Sequence, residues 1–323
     1  MTENMTKKKM IITGGLGFLG SAIAKNFFHK YDLVIIDNES TNVIKADELS
    51  LLSDQIIYKK LDLALLNEQE KDWLKKELED TTYFCHFAAA VGVKKIDENP
   101  NAAIINEYQV NQNILPLIAQ SNAKLLFASS SEVYGNATEC TEDQSLEIGS
   151  PDTLRWGYAC NKLMTEFLIK SYEIPHITLR LFNVTGPGQS PDYGMVIPKM
   201  IKDAKEEGSI NVYGDGNQCR SFCDVEDFLK AIDILISNDM FHNQTLNIGN
   251  DKNLITIKEL AHLIRDTLKV DAQINYLNFH DVYSKNSDDI YKRSPDTAKL
   301  KEIYTPEIDV KSIIRKIAEH KYG

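Results

Sequence analysis

Tyr158 and Lys162 stand one helical turn apart in Gly157-Tyr-Ala-Cys-Asn-Lys162, a spacing with which side chains could do proton chemistry. At i and i+4 on a helix both point from one face. A free phenol ionises near 10, so a tyrosine acting as a base near neutral pH needs its phenolate stabilised by roughly 4 kcal/mol. An ammonium one turn away supplies part of that, and a bound cationic ring supplies more. Alone, Tyr-x-x-x-Lys more often marks a surface pair, so its meaning depends on what converges on it. Upstream, Ala128-Ser-Ser-Ser-Glu-Val-Tyr-Gly135 places hydroxyls at the end of an apolar run. There Ser130 could share a substrate oxygen's proton with Tyr158.

Near the N-terminus, Thr13-Gly-Gly-Leu-Gly-Phe-Leu-Gly20 sets Gly14, Gly17 and Gly20 in GxxGxxG spacing. The run sits between a β-rich segment and a helical pattern opening at Phe18 and Leu19. Glycines there permit a tight turn and let helix N–H groups face a pyrophosphate. Asp37, followed by Asn38, ends the next apolar run 17 residues after Gly20. A carboxylate at that place accepts both hydroxyls of a ribose. The two features predict a dinucleotide site, and an acid at Asp37 repels a 2′-phosphate, which favours NAD over NADP. Oxidised nicotinamide is then the cationic ring that the Tyr–Lys pair lacks.

Short apolar runs position these groups. Strands are predicted at Lys9–Thr13, Leu33–Asp37, Gln55–Asp62, Tyr83–Phe87, Lys124–Ala128 and Ile177–Leu181, with helices over Phe18–Lys30, Asn101–Ser121 and Trp156–Tyr172. Strands alternating with helices at this spacing predict an α/β fold with a doubly wound parallel sheet. After Asn183 the texture changes: Gly and Pro cluster at Gly186-Pro-Gly188 and Pro191–Gly194. A strand is expected at Ile210–Tyr213, and helices near Ile257–Leu268, Asp296–Ile303 and Val310–His320. Thr245–Gly249 could return to the sheet. The expected organisation is a cofactor-binding domain over 7–182, rejoined by 222–250, and a smaller discontinuous α/β lobe from 183–221 and 251–323.

Composition narrows the partners. The 323 residues are 43% hydrophobic and 26% charged, ordinary for a globular chain. Against 36 Lys+Arg stand 47 Asp+Glu, a net charge of −11 that argues against nucleic acid and anionic membranes. Five cysteines form no CxxC pair, and Cys219 and Cys223 have no His cluster to complete a zinc site. All five are read as reduced thiols in a cytoplasmic protein. Lys7-Lys8-Lys9 precedes no apolar leader, and nowhere do apolar residues run long enough to span a bilayer.

Taken together the chain resembles the extended short-chain dehydrogenases/reductases, of the NAD-dependent nucleotide-sugar epimerase/dehydratase type. The glycine turn, His86-Phe-Ala-Ala89, Ser129-Ser-Ser-Glu-Val-Tyr-Gly135 and Tyr158-x-x-x-Lys162 carry the resemblance. Arg180-Leu-Phe-Asn-Val-Thr-Gly-Pro187, Val212-Tyr-Gly-Asp-Gly216, Arg220-Ser-Phe222 and Arg293-Ser-Pro-Asp296 extend it, in order, over nearly the whole length. It implies a Rossmann sheet, NAD as cofactor, a nucleotide-diphosphate sugar as substrate and a homodimer joined through a helical bundle. By position Ser130 matches the family's catalytic Ser/Thr, Tyr158 its base and Lys162 the residue that lowers that base's pKa. Asp62 and Leu63 match adenine contacts, and Ala88 and Ala89 line the cofactor. Asn183 matches an Asn near the sugar and diphosphate, and Tyr213 a residue flanking the base. Arg220 and Arg293 match cations on the diphosphate, a task suited to bidentate guanidinium contacts. Where many members carry Asn-x-x-Gly-Thr this chain reads Asn106-Glu-Tyr-Gln-Val110, and Thr185 replaces a frequent Tyr.

The resemblance implies one first step, oxidation at C4 to a 4-keto sugar, with several fates after it. The leading expectation is a sugar 4-epimerase, on the epimerase-like Arg155-Trp-x-Tyr-Ala-Cys-x-Lys setting of the base. Alternatives are a net C4 dehydrogenase, a nucleotide-uronate decarboxylase, a 4,6-dehydratase and a non-catalytic NAD-binding sensor. Dehydratases of this kind place Asp then Glu after the serine, whereas Ser131 stands here before Glu132, so dehydration is disfavoured. Ser131-Glu132 with Arg293 also resembles the uronate decarboxylases.

Overall fold

A computed structural model of the protein describes residues 7–89, 99–154, 156–192, 195–278 and 290–323. Arg155 and the 193–194 end of the second Gly/Pro cluster lie outside these. Seven parallel strands form the main sheet: β1 (Lys8–Thr13), β2 (Tyr31–Asp37), β3 (Ile57–Lys60), β4 (Thr81–His86), β5 (Lys124–Ser130), β6 (His176–Leu181) and β7 (Gln244–Ile248). Their order is β7-β6-β5-β4-β1-β2-β3. The order reverses beside β1, so the β1 and β4 carboxyl ends flank the crevice where such sheets take ligands.

Side-chain alternation builds a core on each face of the sheet. Met10, Ile12, Leu33, Ile35 and Leu126 face one core, while Ile11, Val34, Ile36, Leu125 and Phe127 face the other. Because both faces are covered, the strands read as continuous apolar runs and not as an alternating pattern. Helices Phe18–Phe27 and Val225–Ser237 cover the first face. Helices Glu68–Leu78 and Pro100–Ala119 cover the second.

Two of these helices were not predicted. Glu68–Leu78 buries only Leu74 and Leu78, too thin an apolar stripe to stand out, although its capping box was readable. Asn67 accepts from the Glu70 N–H at 3.0 Å, and the Glu70 carboxylate accepts from the Asn67 N–H at 3.0 Å. Val225–Ser237 begins on Asp224, which accepts from the Glu226 N–H. The helix expected to reach Lys30 stops at Phe27, and the one expected over Asp296–Ile303 is a single turn, Ala298–Lys301.

A separate core gathers helices Val196–Lys202, Ile257–Leu268 and Val310–Tyr322 around Ile210 and Val212. The strand expected at Ile210–Tyr213 spans Ser209–Tyr213 and pairs in parallel with Gln273–Leu277, a strand that was not expected. A four-stranded sheet places Lys292–Pro295 between Cys219–Ser221 and Glu139–Cys140. Through it, a strand late in the chain reaches the loop that follows β5. Thr245–Ile248 does return to the main sheet, in register with Thr178–Leu181. Among the described residues no helix is long and apolar enough to cross a membrane.

Candidate active site

The carboxyl ends of β1, β2, β4, β5 and β6 open into one cavity of about 560 Å³. At its floor the glycine turn folds back sharply. Gly14 adopts φ +68°, and a Cβ there would meet the Ala88 backbone N at 2.8 Å. At Gly20 a Cβ would meet the Gly14 oxygen at 2.1 Å, so the helix can approach the turn only because the residue is glycine. A Cβ at Gly17 would touch only the Gly14 oxygen, so its other side stays open to the cavity. Helix Phe18–Phe27 starts there with no acidic residue in its first turn and no side-chain cap. Its leading N–H groups, at Phe18 and Leu19, therefore face the cavity available to an anion.

Asp37 is 9% exposed and lines the same cavity. Its Oδ2 accepts from the Leu16 N–H at 3.0 Å and its Oδ1 from the Glu39 N–H at 2.7 Å. The carboxylate is thus pinned by backbone, with lone pairs left for two further donors, as a vicinal ribose diol requires. Asn38 donates to Asp62 at 3.3 Å, and Asp62, Leu63, Ala88 and Ala89 continue the wall. Replacing Asp37 with Ala is expected to erode discrimination against NADP. Kd measured for both dinucleotides checks this, and an unchanged ratio would remove Asp37 from the ribose site.

Ser130, Ser131 and Glu132 leave the end of β5 in a 3₁₀ turn, and all three line the cavity. Opposite them helix Trp156–Ser171 carries Tyr158 and Lys162. The Ser130 hydroxyl beside Tyr158 favours the ionised phenol, and Ser130 Oγ accepts from the Glu132 N–H at 3.1 Å. Behind the turn, Ser129 donates to Glu166 at 2.6 Å, and Arg180 grips the same carboxylate at 2.8 and 3.1 Å. That buried pair fixes the strand end from which Ser130 projects.

Lys162 does not lie free beside the phenol. Its ammonium sits 2.8 Å from the Glu107 carboxylate, with both side chains 2% exposed, and over the Phe127 ring at 5.1 Å. Burial raises the Tyr158 phenol above its ordinary value; Lys162 lowers it, and Glu107 and Glu132 raise it further. Lys162 by itself therefore does not make Tyr158 a phenolate in this form, and the positive charge of oxidised nicotinamide has to contribute. Glu107 was not singled out from the sequence, because a glutamate on a long helix ordinarily faces water. Asn106, left without a role, lines the cavity.

Arg293 comes from the other lobe and meets Glu132 at 2.5 Å, with its side chain 5% exposed. Its Nε and Nη2 are buried without a hydrogen-bond partner among the described residues. Asn183 lines the cavity at φ +39°, its amide donating to the Ser221 carbonyl at 2.8 Å. Tyr213 and Arg220 do not line it. Arg220 lies in register with Arg293 on the neighbouring strand, and its guanidinium donates to the Cys219 and Ile290 carbonyls. All five cysteines are free thiols, and the described residues hold no cluster suited to a metal.

A glycine turn, a backbone-pinned acid and a Ser–Tyr–Lys group meet in one crevice. Residues 10–249 match the model of the NAD dependent epimerase/dehydratase family. The chain belongs to that family. It is 32% identical over 303 residues to the UDP-N-acetyl-alpha-D-glucosaminuronate decarboxylase of Bacillus cytotoxicus, covering 92% of each chain. Among solved structures it is similar to a UDP-N-acetylglucosamine 4-epimerase from Methanobrevibacter ruminantium, with TM-score 0.84, 29% identity and 98% and 99% of the two chains covered. A UDP-glucuronic acid 4-epimerase from Bacillus cereus, solved with NAD, shares the fold at TM-score 0.83 and 23% identity, covering 97% and 98%. The protein is an NAD-dependent nucleotide-sugar-modifying enzyme of the extended short-chain dehydrogenase/reductase type. The cradle fits such a cofactor: an open Gly17, an uncapped helix start and Asp37 are suited to hold a pyrophosphate and a ribose.

Proposed function

We propose that the enzyme decarboxylates a nucleotide-diphosphate uronic acid through a 4-keto intermediate. The carrying observation is the Glu132–Arg293 pair on the wall that holds Ser130 and Tyr158. Bound NAD supplies the hydride acceptor at C4 and the donor that later restores it. Tyr158, with Ser130 beside it on the cavity wall, takes the C4 hydroxyl proton as C4 is oxidised. The C6 carboxylate then stands β to a ketone. Breaking C5–C6 releases CO₂ and leaves the electron pair as an enolate, whose oxygen Ser130 and Tyr158 stabilise through hydrogen bonds. A proton must then be delivered to C5. Arg293 lines the same cavity and can share its guanidinium with a second carboxylate. A substrate carboxylate placed there crowds Glu132, and like charge raises the proton affinity of Glu132, which makes it the donor to C5.

The family resemblance put Arg293 on the diphosphate; its contact with Glu132 leads us to assign it to the sugar's reacting end. Arg220, Asn183 and Tyr213 remain for the diphosphate and base. We keep the cofactor domain as 7–182 with 222–250, and the sugar lobe as 183–221 with 251–323. The exposed Ile105, Tyr108, Met164 and Phe167 on helices Pro100–Ala119 and Trp156–Ser171 suit a homodimer packed through those helices. The free thiols suit the cytoplasm.

The second reading is 4-epimerisation, favoured by the likeness to the Methanobrevibacter ruminantium enzyme and needing only Ser130, Tyr158 and Lys162. It leaves Glu132 and Arg293 without a task. Incubation with NAD and UDP-glucuronic acid, UDP-N-acetylglucosaminuronic acid or UDP-N-acetylglucosamine, followed by mass spectrometry, tests the proposal. Loss of CO₂ from an acid is expected. A product of unchanged mass with inverted C4 would replace this reading with the epimerase one.

A further inference from the structure

We propose that Glu107 is a positioning residue for the proton chemistry of this site: its buried carboxylate clamps the Lys162 ammonium and thereby sets how readily Tyr158 ionises. The two helices that carry the pair are locked in register on either side of it. Asn161 donates to the Ile104 carbonyl at 2.8 Å before the pair, and Asn111 donates to Thr165 Oγ1 at 2.8 Å after it. The 2.8 Å Glu107–Lys162 contact lies between these bonds, with both side chains 2% exposed. Neither charge can relax into water.

Every charged or titratable group facing the site enters the balance. On Lys162 converge Glu107, the Tyr158 ring at 5.8 Å, the Phe127 ring and His86 from β4. Burial, helped by Lys162, pushes the His86 imidazole down to about 3, so it stays neutral. On Tyr158 converge Ser130, Lys162, Glu107 and Glu132, the last already paired with Arg293. With Glu107 present, the Glu–Lys pair is neutral, and ionising Tyr158 leaves a net negative charge in a buried place. Without it, the same ionisation turns a lone buried cation into a neutral pair. Glu107 therefore keeps Tyr158 protonated until a further positive charge arrives, and keeps it able to return its proton.

This inference deepens the reading of Tyr158 as the base, yet it is tested without turnover. The full chain loaded with NAD is labelled at tyrosine Cζ, and the resonance lost in Tyr158→Phe is followed against pH by carbon NMR. In Glu107→Gln the Tyr158 midpoint is expected to fall by about one pH unit or more. Glu107→Asp, whose carboxylate is withdrawn by one methylene, should shift it less and in the same direction. An unchanged or raised midpoint in the folded Gln variant overturns the proposal. Should that variant not fold, an unchanged or raised midpoint in the Asp variant does the same. Failure of the product assay would not move either midpoint, so the two readings fail separately.

Discussion

Replacing Tyr158 with Phe is expected to lower kcat by about 10²–10⁴-fold while NAD and the nucleotide sugar still bind. The change deletes one oxygen and keeps the ring. Ser130 retains the Glu132 N–H, and Lys162 keeps its ion pair with Glu107. No buried charge is orphaned, so the fold should survive, unlike in a Lys162 truncation, where stranding Glu107 would cost about 3–5 kcal/mol. Steady-state rates and NAD titrations on the same preparation check both halves. A variant within about tenfold of the parent would lie below what a general base contributes and would remove Tyr158 from that role.

Glu132→Gln is expected to cut steady-state formation of the decarboxylated, C5-protonated sugar by about 10²–10³-fold while C4 oxidation persists. Glutamine keeps a carbonyl oxygen for Arg293 but cannot become the acid that delivers a proton to C5. Arg293 then loses its internal competitor, so KM for a uronate should stay level or fall as kcat drops. Rapid-mixing absorbance of the reduced nicotinamide, set beside mass spectrometry of the decarboxylated sugar, separates the two steps. Full-rate formation of the decarboxylated sugar by this variant would leave the decarboxylase proposal without its proton donor.

Much of the cofactor half of the site was readable. The glycine spacing and Asp37 mark it because an anion cradle depends on local backbone geometry, which a run of eight residues encodes. The strand ends carrying Ser130 and Ala88 were likewise visible, since a doubly wound sheet turns strand order into position. Other parts were less legible. Helix Glu68–Leu78 buries two leucines and hides its period among charges. Strand Gln273–Leu277 has no buried residue and owes its existence to pairing with Ser209–Tyr213.

The amino-acid sequence by itself determined the α/β class, the dinucleotide cradle and the Ser130–Tyr158–Lys162 group, because each rests on spacing within one turn or on the order of strands. Only the tertiary structure decided the charges that govern them. Glu107 reaches Lys162 across 55 positions, and Arg293 reaches Glu132 across 161. Pairings of that kind carry no local period, and a glutamate or arginine looks solvent-facing until packing removes its water. Burial turns those charges into determinants of proton affinity, and burial belongs to the fold as a whole.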